Sequence, residues 1–145
     1  MEVERVLGGV YDEDAAEAEQ GPPRILLVDD DEDARLLMRT LLERDGYEVK
    51  DAEDGLKALD ILKDDQDYKL VILDLAMPGM DGRQVLDHVR GSIDTAALPV
   101  LIRTGTGSDQ IEAELLEAGA DDYVEKSVDA NRFMARVHAV LRRAM

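Results

Sequence analysis

The chain has 145 residues, the size of a single domain able to bury about two-thirds of its unfolded surface around one core. It has no cysteine, which excludes disulfides and thiolate metal sites, and its 34 acidic against 17 basic residues leave a formal charge of −17 that would repel nucleic-acid backbones and anionic membranes. No apolar run approaches a bilayer span and the N-terminus is acidic where a secretory signal is basic, so a cytoplasmic protein is expected, with proteins or small ions as partners and no direct contact to nucleic acid or membrane.

Residues 1–23 differ in composition from the rest. An acidic, alanine-rich stretch from Asp12 to Glu19 runs into Gly21-Pro22-Pro23, which reads as an arm or linker entering a domain of residues 24–145. Val3, Val6, Leu7 and Val10 have helical spacing, as in the tail of an upstream domain or a small docking helix; a frayed terminus is the simpler account.

From Arg24 onward, short apolar runs alternate with segments of helical period. Ile25-Leu26-Leu27-Val28 predicts a first strand, followed by a helix bearing Ala34, Leu37, Met38, Leu41 and Leu42 on one face and ending at Gly46. Glu48 to Ala52 predicts a second strand, and Leu56, Leu59 and Leu62 a second helix. Leu70 to Leu73 and then Val85, Leu86 and Val89 give the third pair. Val100 to Ile102 leads to a fourth helix with Ile111, Leu115 and Ala118, opened by Ser108 and closed by Gly119. Tyr123-Val124 is the fifth strand, and Phe133, Val137, Val140 and Leu141 mark a fifth helix opened near Asp129. Three of the strands are continuously apolar, as parallel strands covered on both faces must be. A (βα)5 repeat with short connections implies an α/β fold with an open, doubly wound, five-stranded parallel sheet, whose ligand site lies beyond the carboxyl ends of the strands.

At those ends stand Asp29-Asp30-Asp31-Glu32, Asp74, Thr104 and Lys126. Clustered carboxylates repel one another unless a cation neutralises them, and a hard divalent ion such as Mg²⁺ suits two or three acids at a loop-lined rim. A carboxylate nucleophile, a metal, a lysine and a hydroxyl are the parts needed to accept a phosphoryl group. Each has a plainer reading as well: at least one of Asp29, Asp30, Asp31 and Asp33 is expected to cap the first helix, Thr104 alone is a common turn hydroxyl, and Lys126 alone a common solvated charge.

In Ile25-Leu26-Leu27-Val28-Asp29-Asp30, Asp74 with Met77-Pro78-Gly79-Met80-Asp81-Gly82, Pro99 to Thr104, and Gly119 to Lys126, the chain resembles the receiver domain of two-component response regulators, including the free-standing chemotaxis regulator. The resemblance implies a flavodoxin-like fold of strand order 2-1-3-4-5, with Asp74 as phosphoacceptor. It implies Mg²⁺ held by Asp30, Asp74 and the backbone carbonyl of Ala76, with Asp29 acting through water. It makes Lys126 the cation for the phosphoryl group, and Thr104 and Tyr123 the switch pair that alters the surface of the fourth helix, fifth strand and fifth helix. The phosphodonor would be a histidine kinase or phosphotransfer protein, and the signal would pass to a downstream protein partner or an upstream domain of a longer chain. No DNA-binding segment is expected after Met145, and a monomer or a weak homodimer through that same surface is expected.

Several residues depart from the family pattern. Ser127 replaces the usual proline after the lysine; a cis bond before a non-proline residue costs about 2.5–4 kcal/mol, so a trans Lys126–Ser127 bond is predicted. Arg103 stands where an apolar strand residue is usual and is expected to snorkel to the rim, with pairing to a nearby acid as the alternative. Ala76 and Thr106 occupy the positions that influence water near the acyl phosphate, and neither is a base, so slow self-dephosphorylation is expected. His88 and His138 are expected at the surface or in packing. A phosphatase with an Asp nucleophile would show a second acid two residues later, where Ala76 stands; a degenerate, unphosphorylated scaffold has only the missing proline in its favour.

Overall fold

The structure, a computed structural model, describes residues 21–105 and 107–144. The N-terminal arm through residue 20, Thr106 and Met145 lie outside the described residues. Five strands form one parallel sheet: β1 (Arg24–Val28), β2 (Glu48–Ala52), β3 (Leu70–Asp74), β4 (Val100–Thr104) and β5 (Asp122–Glu125), in the order β2-β1-β3-β4-β5. The expected doubly wound order is the one found. Helices α1 (Glu32–Arg44), α2 (Gly55–Asp64), α3 (Gly82–Gly91), α4 (Asp109–Glu117) and α5 (Ala130–Arg143) follow strands β1 to β5 in turn.

Each helix begins on a side chain that accepts a hydrogen bond from a backbone N–H of its own first turn. The caps are Asp31, Asp54, Asp81, Ser108 and Asp129, and Gln84 completes a capping box with Asp81. Part of the acidic surplus therefore serves helix starts. The predicted terminal glycines hold positive φ, 94° at Gly46 and 110° at Gly119, where a residue with a Cβ would be strained.

Alternation along the strands divides the interior in two. Leu26, Val28, Val71, Leu73, Val100 and Ile102 face α2, α3 and α4. Ile25, Leu27, Leu70, Ile72, Leu101 and Val124 face α1 and α5, where Met38, Leu42, Phe133, Val137 and Val140 close the layer. Two leucines assigned to apolar stripes are not in either core: Leu37 is 62% exposed and Leu56 63% exposed. Met38 and Leu42 carry the contact of α1 with the sheet, leaving Leu37 over a shallow cleft between α1 and α5. Leu56 sits in the first turn of α2, on the rim of a groove shared with Met80.

His88 is exposed and His138 pairs with Asp45 at 2.6 Å, both away from the strand ends. Asp122 pairs with Arg136 at 3.2 Å and Arg143 at 3.1 Å, so these charges of the fifth-strand face are matched within the chain. No described helix is long and apolar enough to cross a membrane.

Candidate functional site: an acidic cluster at the strand ends

The sheet register decides which side chains meet. Asp74 follows Leu70 and Ile72 at intervals of two and so projects on the α1/α5 side; Asp29, after Ile25 and Leu27, does the same from β1. Arg103 is the register partner of Asp74 and shares a face with Leu101, while Lys126 follows Val124. The ladders run one residue past the strands: Asp29 donates its N–H to the Ala52 carbonyl at 3.2 Å, Leu75 to Arg103 at 2.9 Å, and Lys126 to Thr104 at 2.8 Å. Two acids and two cations thus stand in a row across the carboxyl edge.

Asp29 and Asp74 are both 1% exposed, and with the exposed Asp30 they bring carboxylate oxygens within 4.8 Å of one another. The Lys126 ammonium, 35% exposed, meets Asp74 Oδ1 at 2.9 Å, and the Ala76 N–H donates to the same oxygen at 3.3 Å. Asp74 Oδ2 is buried with no hydrogen-bond partner among the described residues. Burial pushes the Asp74 carboxyl above its usual range, the lysine draws it back, and the neighbouring Asp29 charge pushes it up again. An orphaned buried oxygen amid three acids is a donor set suited to a hard divalent cation, which would satisfy the oxygen and neutralise the repulsion.

The Lys126–Ser127 bond is trans, as predicted. The lysine still reaches the acid, so the serine does not unseat it. Arg103 differs from the preferred expectation. Its guanidinium does not simply rise to solvent but binds Asp29 Oδ2 at 2.8 Å and is only 12% exposed. The physical reason is the shared face: an arginine on that side of β4 finds a buried carboxylate within reach, and a charge-assisted bond outweighs hydration at the rim. Asp29 is held further by the Asp31 N–H on Oδ1 at 2.9 Å and by Arg35, which donates to its carbonyl at 2.8 Å.

Thr104 is buried at the end of β4. Tyr123 is half-buried and donates its hydroxyl to Glu112 on α4 at 3.2 Å, so in this state the ring is tied to that helix. Gly82 opens α3 directly against the end of β3: a Cβ there would lie 2.3 Å from the Asp74 carbonyl oxygen and 2.8 Å from Leu75 Cα. Its N–H donates to the Leu75 carbonyl at 2.9 Å. Gly82 belongs to the Met77–Gly82 motif, yet nothing in the sequence signals this close approach.

A family profile describing the response regulator receiver domain matches residues 25–138. The transcriptional regulatory protein YrkP of Bacillus subtilis is 44% identical over 120 residues, covering 83% of this chain and 50% of that protein. Response regulator MprA of Mycobacterium tuberculosis is 42% identical over 120 residues, covering 83% and 51%. The chain spans about half the length of the curated relatives it matches. Among solved structures, the chemotaxis protein CheY4 of Vibrio cholerae superposes with a TM-score of 0.77 at 27% identity, covering 83% of this chain and 99% of that one. A signal receiver domain from Vibrio parahaemolyticus gives 0.75 at 33% identity, covering 85% and 92%.

Proposed function

This chain belongs to the response regulator receiver domain family, a phosphoacceptor signalling module of two-component systems, and on that premise we propose that Asp74 is its phosphoacceptor and Mg²⁺ its cofactor. The observation that carries the reading is the Asp74 carboxylate itself: buried at the end of β3, one oxygen held by Lys126 at 2.9 Å, the other without a partner among the described residues, beside Asp29 and Asp30.

A carboxylate oxygen of Asp74 attacks the phosphorus of a phosphohistidine on a histidine kinase or phosphotransfer protein. The new O–P bond forms as the P–N bond breaks, and the electron pair leaves on the imidazole nitrogen. Asp30, Asp74 and the Ala76 carbonyl would hold the Mg²⁺, with Asp29 acting through water, and the ion would supply charge neutralisation for the phosphoryl oxygens. Lys126 then transfers its ammonium from Asp74 Oδ1 to a phosphoryl oxygen, a role for which its compact charge and flexible stem are suited. The Thr104 hydroxyl takes another oxygen. Tyr123 gives up its bond to Glu112 as the ring turns in, changing the face formed by α4, β5 and α5. The new contacts can shift the equilibrium only by the difference in free energy they make between the two packings.

The domain catalyses only its own phosphorylation and dephosphorylation. A downstream protein, or another domain of a longer chain, reads the altered face. Intact-mass measurement after incubation with acetyl phosphate and Mg²⁺ tests the assignment: one phosphoryl group is expected on the native chain and none on Asp74→Asn. Full labelling of Asp74→Asn at another residue would remove Asp74 from the acceptor role.

A further inference from the structure

Arg103 is a second cation in a site whose proposed phosphoryl chemistry already uses Lys126. Its guanidinium occupies Asp29 Oδ2 while the Asp31 N–H occupies Oδ1, so both oxygens of this acid are engaged before any metal arrives. The cluster then presents three carboxylates against two cations, Lys126 on Asp74 and Arg103 on Asp29. Lys126 is partly solvated, whereas Arg103 is enclosed by the α1/α5 cleft and rooted in β4 opposite Asp74. A guanidinium stays charged at every physiological pH, so its repulsion of an entering cation is constant.

We propose that Arg103 is a built-in competitor of the divalent cation: by holding Asp29 it lowers the Mg²⁺ affinity of the acid cluster and so makes phosphorylation depend on the ambient Mg²⁺ concentration. The inference rests on the reading of the cluster as a Mg²⁺ site and adds an affinity-setting residue to it. Arg103 does not touch the reacting atoms; it acts through Asp29. In the metal-free protein it is stabilising, because removal would leave Asp29 a buried charge without its counterion. Toward metal it acts in the opposite sense. That pair of opposed signs separates this role from a purely structural one.

The test uses the full chain and Mg²⁺ itself. Amide chemical shifts at the ends of β1 and β3 are followed through a Mg²⁺ titration, and melting temperature is read in EDTA and in saturating Mg²⁺, for the native protein, Arg103→Gln and Arg103→Lys. Arg103→Gln is expected to melt lower in EDTA yet bind Mg²⁺ about tenfold more tightly, because a unit positive charge is removed from beside the acid cluster. Its gain in melting temperature on adding Mg²⁺ is larger than that of the native chain. Arg103→Lys, which restores the charge, returns the affinity toward the native value. A native response to Mg²⁺ that Arg103→Gln leaves unchanged or weakens overturns this inference alone; no response in either protein overturns the metal site and the inference together. Arg103→Met, retaining an apolar stem, is read in the same way if the glutamine variant does not fold.

Discussion

Gly82→Ala sets two known effects against each other beside Asp74. Alanine is favoured over glycine by about 1 kcal/mol in a helix interior, and Gly82, the first residue of α3, has no positive φ to forbid it. Against this, the added methyl would stand 2.3 Å from the Asp74 carbonyl oxygen and 2.8 Å from Leu75 Cα, about 1 Å inside ordinary contact, with backbone on the far side rather than a side chain that could rotate away. Overpacking of this kind costs about 1–3 kcal/mol and exceeds a propensity gain that is smaller still at a helix end. For a domain of this size the loss is about 4 °C of melting temperature per kcal/mol, so a drop of about 4–12 °C is expected by far-ultraviolet circular dichroism. Because the obstructed atom is the carbonyl of Asp74, the proposed phosphoacceptor, labelling by acetyl phosphate should slow as well. Gly91→Ala supplies the control in the same helix, since a Cβ there meets nothing within 4 Å; it should be neutral or slightly stabilising. A Gly82→Ala variant melting within a degree of the native chain would refute the close approach of α3 to β3.

Two further outcomes follow from the same site. Burial and the Asp29 charge raise the Asp74 pKa in the folded state, so its ionisation costs stability, and that cost fades as pH falls through the raised folded value. Asp74→Asn in EDTA should therefore be more stable than the native protein at neutral pH in urea unfolding, with the gap closing in acid; a variant less stable at every pH would refute the account. The acyl phosphate, once formed, should persist for minutes or longer in purified protein, because the Ala76 methyl offers no group to position water; decay within seconds, followed by intact mass, would contradict this.

The fold was legible because it rests on period and punctuation. Continuous apolar runs at β1, β3 and β4 and capping residues at Asp129 and Ser108 are local signals, and the structure keeps them. The extents of the helix stripes were less so: Leu37 and Leu56 satisfy a helical period yet look outward, since period gives the direction of a side chain and not whether a neighbour covers it. Arg103 shows the same limit at the site. Its pairing with Asp29 follows from alternation in β4 together with the strand order, but the sequence around Arg103 contains neither the register nor the acid, which lies 74 positions away. Gly82 was hidden for a similar reason, because its partner is backbone and leaves no mark in the sequence.

The row of charges also explains why serine after Lys126 does not disturb the lysine. Adjacent strands lie about 4.8 Å apart, so a cation serving an acid two strands away must cross nearly 10 Å and needs a long side chain launched from a fixed point. Lys126 crosses β4 to reach Asp74, and Arg103 crosses β3 to reach Asp29; each passes over one neighbour. The launch point of Lys126 is fixed by its own N–H to the Thr104 carbonyl at 2.8 Å, which extends the β4–β5 ladder, and by the turn in which Val128 donates to Glu125 at 3.3 Å. Those bonds are made by backbone atoms on either side of Ser127 and require nothing of its side chain. The aim of the lysine is therefore a property of the ladder, and the residue that follows it is released from that duty.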